Sequence, residues 1–335
     1  MADAAAGGKA PGTGRDPKPA WIDPELATLT KDRFSSSDWM YERKFDGERC
    51  LSFRDGDTIR LMTRNQHQVN GTYPELVDAL CAAGADDFII DGEVVAFEGE
   101  QTRFAKLQQR MQVARPSETL IRSVPVIYYV FDLMYAEGHD LRSTPLRDRK
   151  EPLRTLLPFD DPVRYTEHRT GDGVAYYKEA CQQGWEGIIA KRASSMYRSG
   201  RTRDWLKFKC ENSQEFVIAG FTDPQGSRTG LGALLLGYYD ADGNLVYAGK
   251  VGTGFDQRTL RLLYTELSAM ERDRPPFAHA DDLPRGRVHW TEPRLVANVG
   301  FSEWTTAGQL RHPRFQGLRR DKSPAEVVRE VPQGG

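Results

Sequence analysis

One lysine in this sequence stands in surroundings that could make it a nucleophile. Lys44 lies within residues 41–49 (YERKFDGER), after a β-like run and just before Asp46 and Gly47. A lysine amine attacks poorly at its reference pKa of about 10.4, and it becomes reactive when burial or nearby cations lower that value. Taken alone, the stretch rather favours a charged hairpin turn, because Asp-Gly is a strong hairpin signal. The chemistry therefore depends on what the fold brings to Lys44.

Two glutamates accompany apolar runs further along the chain. Glu93 lies inside residues 90–95 (IDGEVV), and Glu186 begins residues 186–191 (EGIIAK). A carboxylate that faces a core must be paired or bind a metal, whereas a solvent-facing strand position leaves it hydrated. Alternation along the strand permits either interpretation. If they are buried together, the two carboxylates suit Mg²⁺ or Mn²⁺.

A pair of lysines follows in residues 205–209 (WLKFK). Apolar and basic residues alternate there, so Lys207 and Lys209 share one face of a strand. Two ammonium groups on one face indicate a polyanionic ligand. Lysines that protect an edge strand from aggregation would give the same pattern.

The elements that must position these residues divide the chain in two. Residues 50–53, 58–62, 88–91, 93–97 and 126–134 are β-like, and residues 74–83, 104–111 and 172–183 have helical patterns. Strands interleaved with helices predict an α+β domain over residues 21–211. From residue 212 to about 330, short strands, Gly-rich turns and one helix (256–270) predict a small closed barrel such as an OB-fold. Residues 1–20, rich in Ala, Gly and Pro, are predicted to be a disordered tail.

Composition excludes several classes of protein. The four cysteines among 335 residues form no C-x-x-C pair, which argues against a disulfide framework or a zinc ribbon and predicts a reducing cytoplasm. No apolar run approaches the ~18 residues of a membrane span. The net charge of −2 argues, on its face, against a nucleic-acid partner.

The distribution of charge reverses that last inference. Residues 187–209 hold seven basic side chains against one acid, and residues 311–322 hold five against one. Such blocks are typical of phosphate-backbone binding, although many charge runs are only solvated faces. Both blocks adjoin the candidate chemical residues, which favours DNA.

The order of these segments resembles the covalent nucleotidyltransferase superfamily, and within it the ATP-dependent DNA ligases. KFDGER resembles the adenylation motif, IDGEVVA the third motif, YYVFDLM the intervening aromatic motif, EGIIAKR the fourth and DWLKFK the fifth. RRDK near residue 320 resembles the sixth motif, and TRN at residues 63–65 resembles a segment that approaches nick phosphates, where the family commonly has Ser in place of Thr63. Flanking stretches such as FAKLQQRM and RHPRFQGLR resemble the bacterial ligases of double-strand-break end joining.

The resemblance implies an adenylation domain followed by an OB-fold domain, with ATP and Mg²⁺ (or Mn²⁺) as cofactors. It implies that Lys44 carries AMP, that Lys207 and Lys209 contact phosphate and lower the pKa of Lys44, and that Phe131 packs on adenine. The implied nucleotide contacts also include Glu42, Arg49, Arg64, Glu93, Glu186, Arg319 and Lys322. Glu93 and Glu186 would be the metal ligands and Asp46 a supporting residue, while Arg64, Arg192, Arg201 and Arg203 would contact DNA.

The function implied is sealing of nicked or broken double-stranded DNA by a monomer, with the end-binding protein Ku as an associated partner. Two alternatives stay open at this point. An RNA ligase or a GTP-using capping enzyme shares the K-x-D-G motif, and a non-catalytic DNA-binding protein could retain the fold. The second requires losses at the nucleotide site, yet Lys44, Glu93, Glu186, Lys207 and Lys209 are all present.

Overall fold

The structure is a computed structural model that describes residues 15–111, 113–224, 230–279, 283–284 and 286–331. The first domain contains the strands β1 (Glu25–Leu29), β2 (Trp39–Arg43), β3 (Glu48–Asp55), β4 (Thr58–Thr63), β5 (Asp87–Glu98), β6 (Gln101–Thr102), β7 (Val126–Ala136), β8 (His139–Asp140), β9 (Val163–Tyr165), β10 (His168–Thr170), β11 (Gly187–Arg192) and β12 (Gly200–Lys209). Its helices are α1 (Pro74–Ala82), α2 (Phe104–Met111), α3 (Glu118–Ser123), α4 (Leu146–Leu156) and α5 (Gly173–Gln182).

These strands form two sheets. One has the order β1-β12-β11-β2-β10, and the other has the order β4-β3-β5-β7-β8, with β6 beside β5 and β9 beside β7. The sheets meet at an apolar layer that includes Leu51, Ile89, Phe131 and Trp205. Helices α1 and α2 cover the far side of the second sheet through Leu76, Leu80 and Leu107, and α5 covers the first.

The chain crosses between the sheets directly after Lys44. Strand β2 pairs with β10 and β11, whereas β3 pairs with β4 and β5, so the hairpin interpretation of KFDGER is wrong. The crossing is tight: a side chain at Gly47 would clash with the carbonyl oxygen of Val94. A glycine is required there because backbone approaches backbone.

Residues 210–211 connect β12 to the strands of the second domain. Its strands are β13 (Asn212–Thr222), β14 (Leu234–Tyr239), β15 (Leu245–Val251), β16 (Glu271–Arg272), β17 (Val288–Phe301), β18 (Glu303–Trp304), β19 (Leu310–Arg311) and β20 (Arg314–Leu318). The main antiparallel sheet has the order β15-β14-β13-β17-β16, and β20 pairs with β17. Helix α6 (Gln257–Ser268) packs Leu260, Leu263 and Leu267 on this sheet. Asp256 caps the helix, its Oδ1 accepting from Thr259 N at 2.6 Å.

Three expectations from the sequence need correction. The runs 88–91 and 93–97 are one continuous strand, Asp87–Glu98, because Gly92 continues the ladder opposite Cys50 and Val130. Cys181 in α5 and Cys210 after β12 form a disulfide with their Cα atoms 5.3 Å apart, so the exclusion of disulfides was wrong. Spacing in sequence did not reveal it, since a disulfide needs only proximity in space.

The third correction concerns the tail. Residues 15–20 pack against the first domain: Asp16 N donates to Gly138 O at 2.7 Å, Tyr135 Oη donates to Asp16 O at 3.0 Å, and Lys18 pairs with Asp87 at 2.6 Å. The prediction of disorder is wrong for these residues, and residues 1–14 lie outside the described part. No described helix is long and apolar enough to span a membrane.

The two domains contact each other through the end of the second. Asn65 Nδ2 donates to the carbonyl oxygen of Asp321 at 2.6 Å, and Gln108 in α2 donates to the carbonyl of Leu318. Arg64 pairs with Glu326 at 2.8 Å. These contacts close the second domain over the crevice between the two sheets.

Candidate active site

A cavity lies between the two sheets and under the second domain. Every residue predicted to contact the nucleotide or the metal lines it: Glu42, Lys44, Arg49, Arg64, Glu93, Phe131, Glu186, Lys207, Lys209, Arg319 and Lys322, together with Asp46. The strands bring these residues together from positions spread over most of the chain. Sequence order alone could not show that they converge.

Lys44 lies at the point where the chain leaves β2 and crosses to the other sheet. Its backbone N donates to Gly187 O at 2.9 Å, which ties it to the start of β11. Its Nζ donates to Glu186 Oε2 at 2.5 Å. Burial by itself would lower the pKa of Lys44, but Glu186, aided by Asp46 and Glu93, outweighs burial and raises it. The expectation that Lys207 and Lys209 lower the pKa of Lys44 is therefore not met without nucleotide, because the negative charge of the carboxylates outweighs burial.

Three buried carboxylates near Lys44 lack enough neighbouring positive charge, whereas Lys44 and Lys209 lower the pKa of Glu186. Burial raises the pKa of Asp46 to about 6 and that of Glu93 to about 7, and it raises the pKa of Glu48 to about 8. Asp46 also holds the chain crossing, its Oδ2 accepting from Phe104 N at the start of α2 at 3.2 Å. Raised values mean that the local cations do not fully compensate these groups.

An oxygen donor set of this kind fits a divalent cation. Glu93 and Glu186 are hard ligands of the type that Mg²⁺ prefers, and added positive charge would relieve the shortage at Glu93. No group of three or more His, Cys, Asp or Glu side chains in the described residues forms a ready metal cage. Mg²⁺ commonly completes such a site with substrate phosphates and water.

One end of the cavity is lined by the paired lysines of β12. Lys209 Nζ donates to Ser213 O at 2.7 Å and lies 4.0 Å from Glu186. Lys207 donates to Glu330, a residue from the end of the second domain. Burial, with Lys209 as a like charge, lowers the pKa of Lys207 to about 8. We call this the phosphate end, because Lys207 and Lys209 line the cavity there and Glu186 lies beside both Lys44 and Lys209.

The other end is aromatic and contains a buried ion-pair cluster. Lys191 Nζ lies 4.1 Å from the ring centre of Phe131 and 3.9 Å from that of Trp205. Glu42 pairs with Lys191 at 2.6 Å and with Lys150 at 2.5 Å, and all three are almost fully buried. We call this the base end, because a flat ring could lie on Phe131 with polar groups at its edge.

Arg49 is fixed below Phe131 by a carboxylate that the sequence did not single out. Asp91 is fully buried and accepts two bonds from Arg49 at 2.5 Å and one from Tyr197 Oη at 2.7 Å. The Arg49 guanidinium lies 4.7 Å from the Phe131 ring centre. Because Asp91 belongs to β5 and Tyr197 to the segment before β12, this network also joins the two sheets.

The second domain contributes the residues of the RRDK stretch. Arg319 binds Asp321 through two hydrogen bonds of 2.9 and 2.7 Å and lies over the Phe104 ring at 4.3 Å. Lys322 lies 4.0 Å from Glu215, and burial lowers its pKa. Both cations line the cavity in this closed arrangement.

The four residues predicted to contact DNA do not all lie in the cavity. Arg64 and Arg201 line the cavity, and Arg201 donates to Ala27 O at 2.6 Å. Arg192 and Arg203 are exposed outside it, and Arg192 pairs with Asp204 at 2.9 Å. The block 187–209 is thus divided between the cavity wall and the surface that surrounds it.

Several lining residues were missed by the sequence reasoning. Lys191 and Glu215 are charged groups in the cavity, and Asp91 supports it from below. A signal existed for Lys191, since it is a lysine inside an apolar strand, and for Asp91, which precedes Gly92 in an apolar run. Neither residue was predicted to belong to the site, because a single charged residue in an apolar run forms no periodic pattern.

A buried lysine beside carboxylates, in a cavity with paired lysines and an aromatic wall, defines the class of the lysine-dependent nucleotidyltransferases. Family models agree: the ATP dependent DNA ligase domain matches residues 24–209, and the ATP dependent DNA ligase C terminal region matches residues 227–322. The chain belongs to the ATP-dependent DNA ligase family, with an adenylation domain followed by an OB-fold domain.

Relatives and solved structures support this placement. The chain is 38% identical over 327 residues to the multifunctional non-homologous end joining protein LigD of Pseudomonas aeruginosa, covering 96% of this chain and 38% of that protein. It is 37% identical to the LigD of Mycobacterium tuberculosis, covering 92% of this chain and 40% of that protein. A structure of mycobacterial DNA ligase D complexed with ATP and MES has 34% identity and a TM-score of 0.65, covering 92% of this chain and 98% of that chain. The chain spans about two fifths of the length of these curated relatives.

Proposed function

We propose that this chain joins 3′-hydroxyl and 5′-phosphate ends at nicks in DNA, using ATP and a lysyl-AMP intermediate on Lys44. The observation that carries the proposal is the position of Lys44 in the cavity, 2.5 Å from Glu186, whose other carboxylate oxygen lies 4.0 Å from Lys209, with Lys207 and Phe131 also in the cavity wall. Family membership supports ATP as the nucleotide. The alternatives of an RNA ligase, a capping enzyme or an inactive DNA-binding protein have no specific support.

In the first step Lys44 attacks the α-phosphorus of ATP, and pyrophosphate leaves. The amine must first lose its proton, because an ammonium has no free electron pair. Glu186 Oε2, 2.5 Å from Nζ, stabilises the ammonium without nucleotide, so this ion pair must be weakened before Lys44 can lose its proton and attack. Negative charge develops on the phosphate oxygens, and Lys207 and Lys209 are placed to stabilise it. Bound Mg²⁺, held by Glu93 and Glu186, would add positive charge at those oxygens.

The base end would orient the nucleotide. Adenine would pack on Phe131, whose ring is held by Lys191 and Arg49 at 4.1 and 4.7 Å. The buried carboxylate of Glu42 lies at the edge of this aromatic wall and could accept a hydrogen bond from the base. Arg49, held by Asp91, would contact the ribose or a phosphate. Such fixed neighbours place the α-phosphorus at Lys44 without an entropic cost at the moment of reaction.

Two further transfers follow in this proposal: AMP passes to the 5′-phosphate of the nick, and the 3′-hydroxyl then displaces AMP. DNA must enter where the second domain now closes the crevice. We infer that this domain rotates about residues 210–211, so that Arg319 and Lys322 face ATP in the first step and then move away. Arg64, Arg192, Arg201 and Arg203 would contact the DNA backbone, which makes sealing independent of sequence.

The biological setting is inferred from the relatives. Their names assign them to non-homologous end joining, and we propose the same pathway here, with broken DNA as substrate and Ku as a partner. We further propose a monomer that works in the cytoplasm on chromosomal DNA. None of the described contacts identifies a Ku-binding surface.

Intact-mass measurement tests the chemistry directly. Wild-type protein incubated with ATP and Mg²⁺ should gain the mass of one AMP, and Lys44→Ala should not. The adenylated protein should then seal nicked DNA without added ATP. A mass gain that persists in Lys44→Ala would exclude the proposal, and so would a gain with GTP alone or sealing of nicked RNA alone.

A further inference from the structure

A short segment beyond the family match lies across the phosphate end. Residues 323–331 follow the RRDK stretch, whereas the family model ends at residue 322. Val327 is buried, Tyr239 N donates to Val327 O at 2.8 Å, and Gln214 Nε2 donates to Val328 O at 3.0 Å. The segment is therefore attached to the OB-fold domain by its backbone.

This attachment carries an acidic side chain onto the paired lysines. Glu330 N donates to Gln214 Oε1 at 2.9 Å, which fixes the residue. The carboxylate accepts a hydrogen bond from Lys207, and its second oxygen lies 3.8 Å from Lys209. The Glu330 side chain is only 12% exposed. Its Oε2 atom is buried without a hydrogen-bond partner among the described residues.

A second acid of the segment repeats the arrangement. Glu326 pairs with Arg64 at 2.8 Å, and Arg64 also lines the cavity. Two carboxylates of one segment thus lie on cations that the proposed function assigns to anionic ligands. A surface ion pair in solvent would be unremarkable, but these pairs lie in the wall of the site.

We propose that segment 323–331 is an intramolecular competitor of the nucleotide, in which the Glu330 carboxylate occupies the position of a phosphate group on Lys207 and Lys209. This rests on the proposed function only for the assignment of those lysines to phosphate. A carboxylate offers two anionic acceptor oxygens, as a phosphate does, and it neutralises two adjacent like charges. Nucleotide binding then requires that the segment leave.

Competition by the segment should lower the apparent affinity of the site for the nucleotide. When only a fraction of the molecules has the site open, the apparent dissociation constant rises by the inverse of that fraction. Because the segment is joined to β13 and β14, its departure is coupled to movement of the OB-fold domain. The segment would therefore link nucleotide entry to opening of the crevice.

Kinetics of the first step provide the main test. Glu330→Gln keeps the size of the side chain and removes its charge, so the KM for ATP in adenylation should fall by about 3- to 10-fold. The maximal adenylation rate should not fall. Glu303→Gln, an exposed glutamate on β18 paired with Arg311, is the matched control and should leave KM unchanged. An unchanged or raised KM in Glu330→Gln would overturn the proposal.

A measurement that needs no catalysis separates this inference from the proposed function. In wild-type protein with ATP and no divalent metal, amide hydrogen exchange of residues 327–331 should increase when ATP binds. Unchanged exchange at saturating ATP refutes the competitor. If ATP binds and displaces the segment but Lys44 never gains AMP, the ligase proposal fails and the competitor stands.

Discussion

The pKa values of buried glutamates shift in opposite directions at the two ends of the cavity. Glu42 at the base end and Glu93 beside Lys44 are both buried, yet the pKa of Glu42 is lowered while that of Glu93 is raised to about 7. Burial raises both values, but Lys150 and Lys191 outweigh it at Glu42. The base end is thus complete within one domain.

The phosphate end is shared instead. Asp46 and Glu93 lack full compensation there, whereas the lysines lower the pKa of Glu186 and that of Glu330, which comes from the other domain. This difference indicates that the base end can stay fixed while the charges at the phosphate end change. Under the proposed function, a wall that binds the base can stay fixed, whereas a site for phosphates and metal must exchange its charges during the reaction.

The largest expected effect on stability is at the base end. Glu42→Gln removes the paired carboxylate of the buried Lys150 and Lys191, and breaking such a buried pair costs about 3–5 kcal/mol. Chemical denaturation of the two proteins measures this loss. Glu179→Gln removes an exposed pair with Arg169 and should leave the melting temperature nearly unchanged. Equal stability of Glu42→Gln and wild type would show that the base end is not a self-sufficient ionic cluster.

At the phosphate end the loss should appear in turnover. Lys207→Ala or Lys209→Ala removes a stabiliser of developing charge, and a ~100-fold fall in the sealing rate is expected, as for an oxyanion-hole donor. Thermal unfolding should change much less. The exposed Lys178 supplies the control variant, Lys178→Ala, which should seal normally. A variant that unfolds but turns over normally when folded would reverse this interpretation.

The uncompensated carboxylates predict a pH dependence of stability. The folded-state pKa of Glu48, about 8, exceeds its ordinary 4.5, so the protein loses stability as pH rises through this range. In wild type Tyr73 Oη donates to Glu48 Oε2 at 2.7 Å, and Glu48→Gln does not titrate but can still accept this hydrogen bond. It should be more stable than wild type by about 2–4 kcal/mol at pH 8, with the gap closing near pH 4.5.

Denaturation curves at several pH values measure that gap. Glu98→Gln, an exposed site 3.7 Å from Arg103, should show no such divergence. A constant gap between pH 5 and 8 for Glu48→Gln would mean that the carboxylate is compensated after all, and the contrast between the two ends would be weaker.

The smallest effect is expected outside the cavity. Arg203→Gln should weaken binding of nicked DNA several-fold and reduce its salt dependence by about one charge, while adenylation stays unchanged. Filter binding at several salt concentrations measures the slope. Arg122→Gln on α3, at an exposed position away from the basic blocks, is the comparison variant. Loss of adenylation in Arg203→Gln would place this residue in the nucleotide site instead.

Much of the fold could be read from local patterns. Helix α2 was predicted with the bounds that the structure has, because its apolar spacing and its flanks agree. The OB-fold helix was predicted within two residues at each end. The domain boundary near residue 211 follows from the change between β12 and β13, where strands interleaved with helices give way to short strands with Gly-rich turns, and it remains a prediction.

The failures share one cause, which is that they depend on contacts between distant segments. The Cys181–Cys210 disulfide joins residues 29 positions apart, and residues 15–20 are held by Gly138 and Asp87. Neither contact has a local signature. The predicted lowering of the Lys44 pKa was wrong for the same reason, since the shift depends on the charges that the fold brings to Lys44.

The sequence by itself determined the chemical inventory: a candidate nucleophile, acids, paired lysines and basic blocks in an order that resembles one family. It could do so because residue types and their order survive without coordinates. Only the tertiary structure decided that Lys44 is paired with Glu186, that Asp91 fixes Arg49, and that Glu330 is paired with Lys207. Electrostatic energies depend on distance and burial, and the chain acquires both only when its two sheets and second domain close around one cavity.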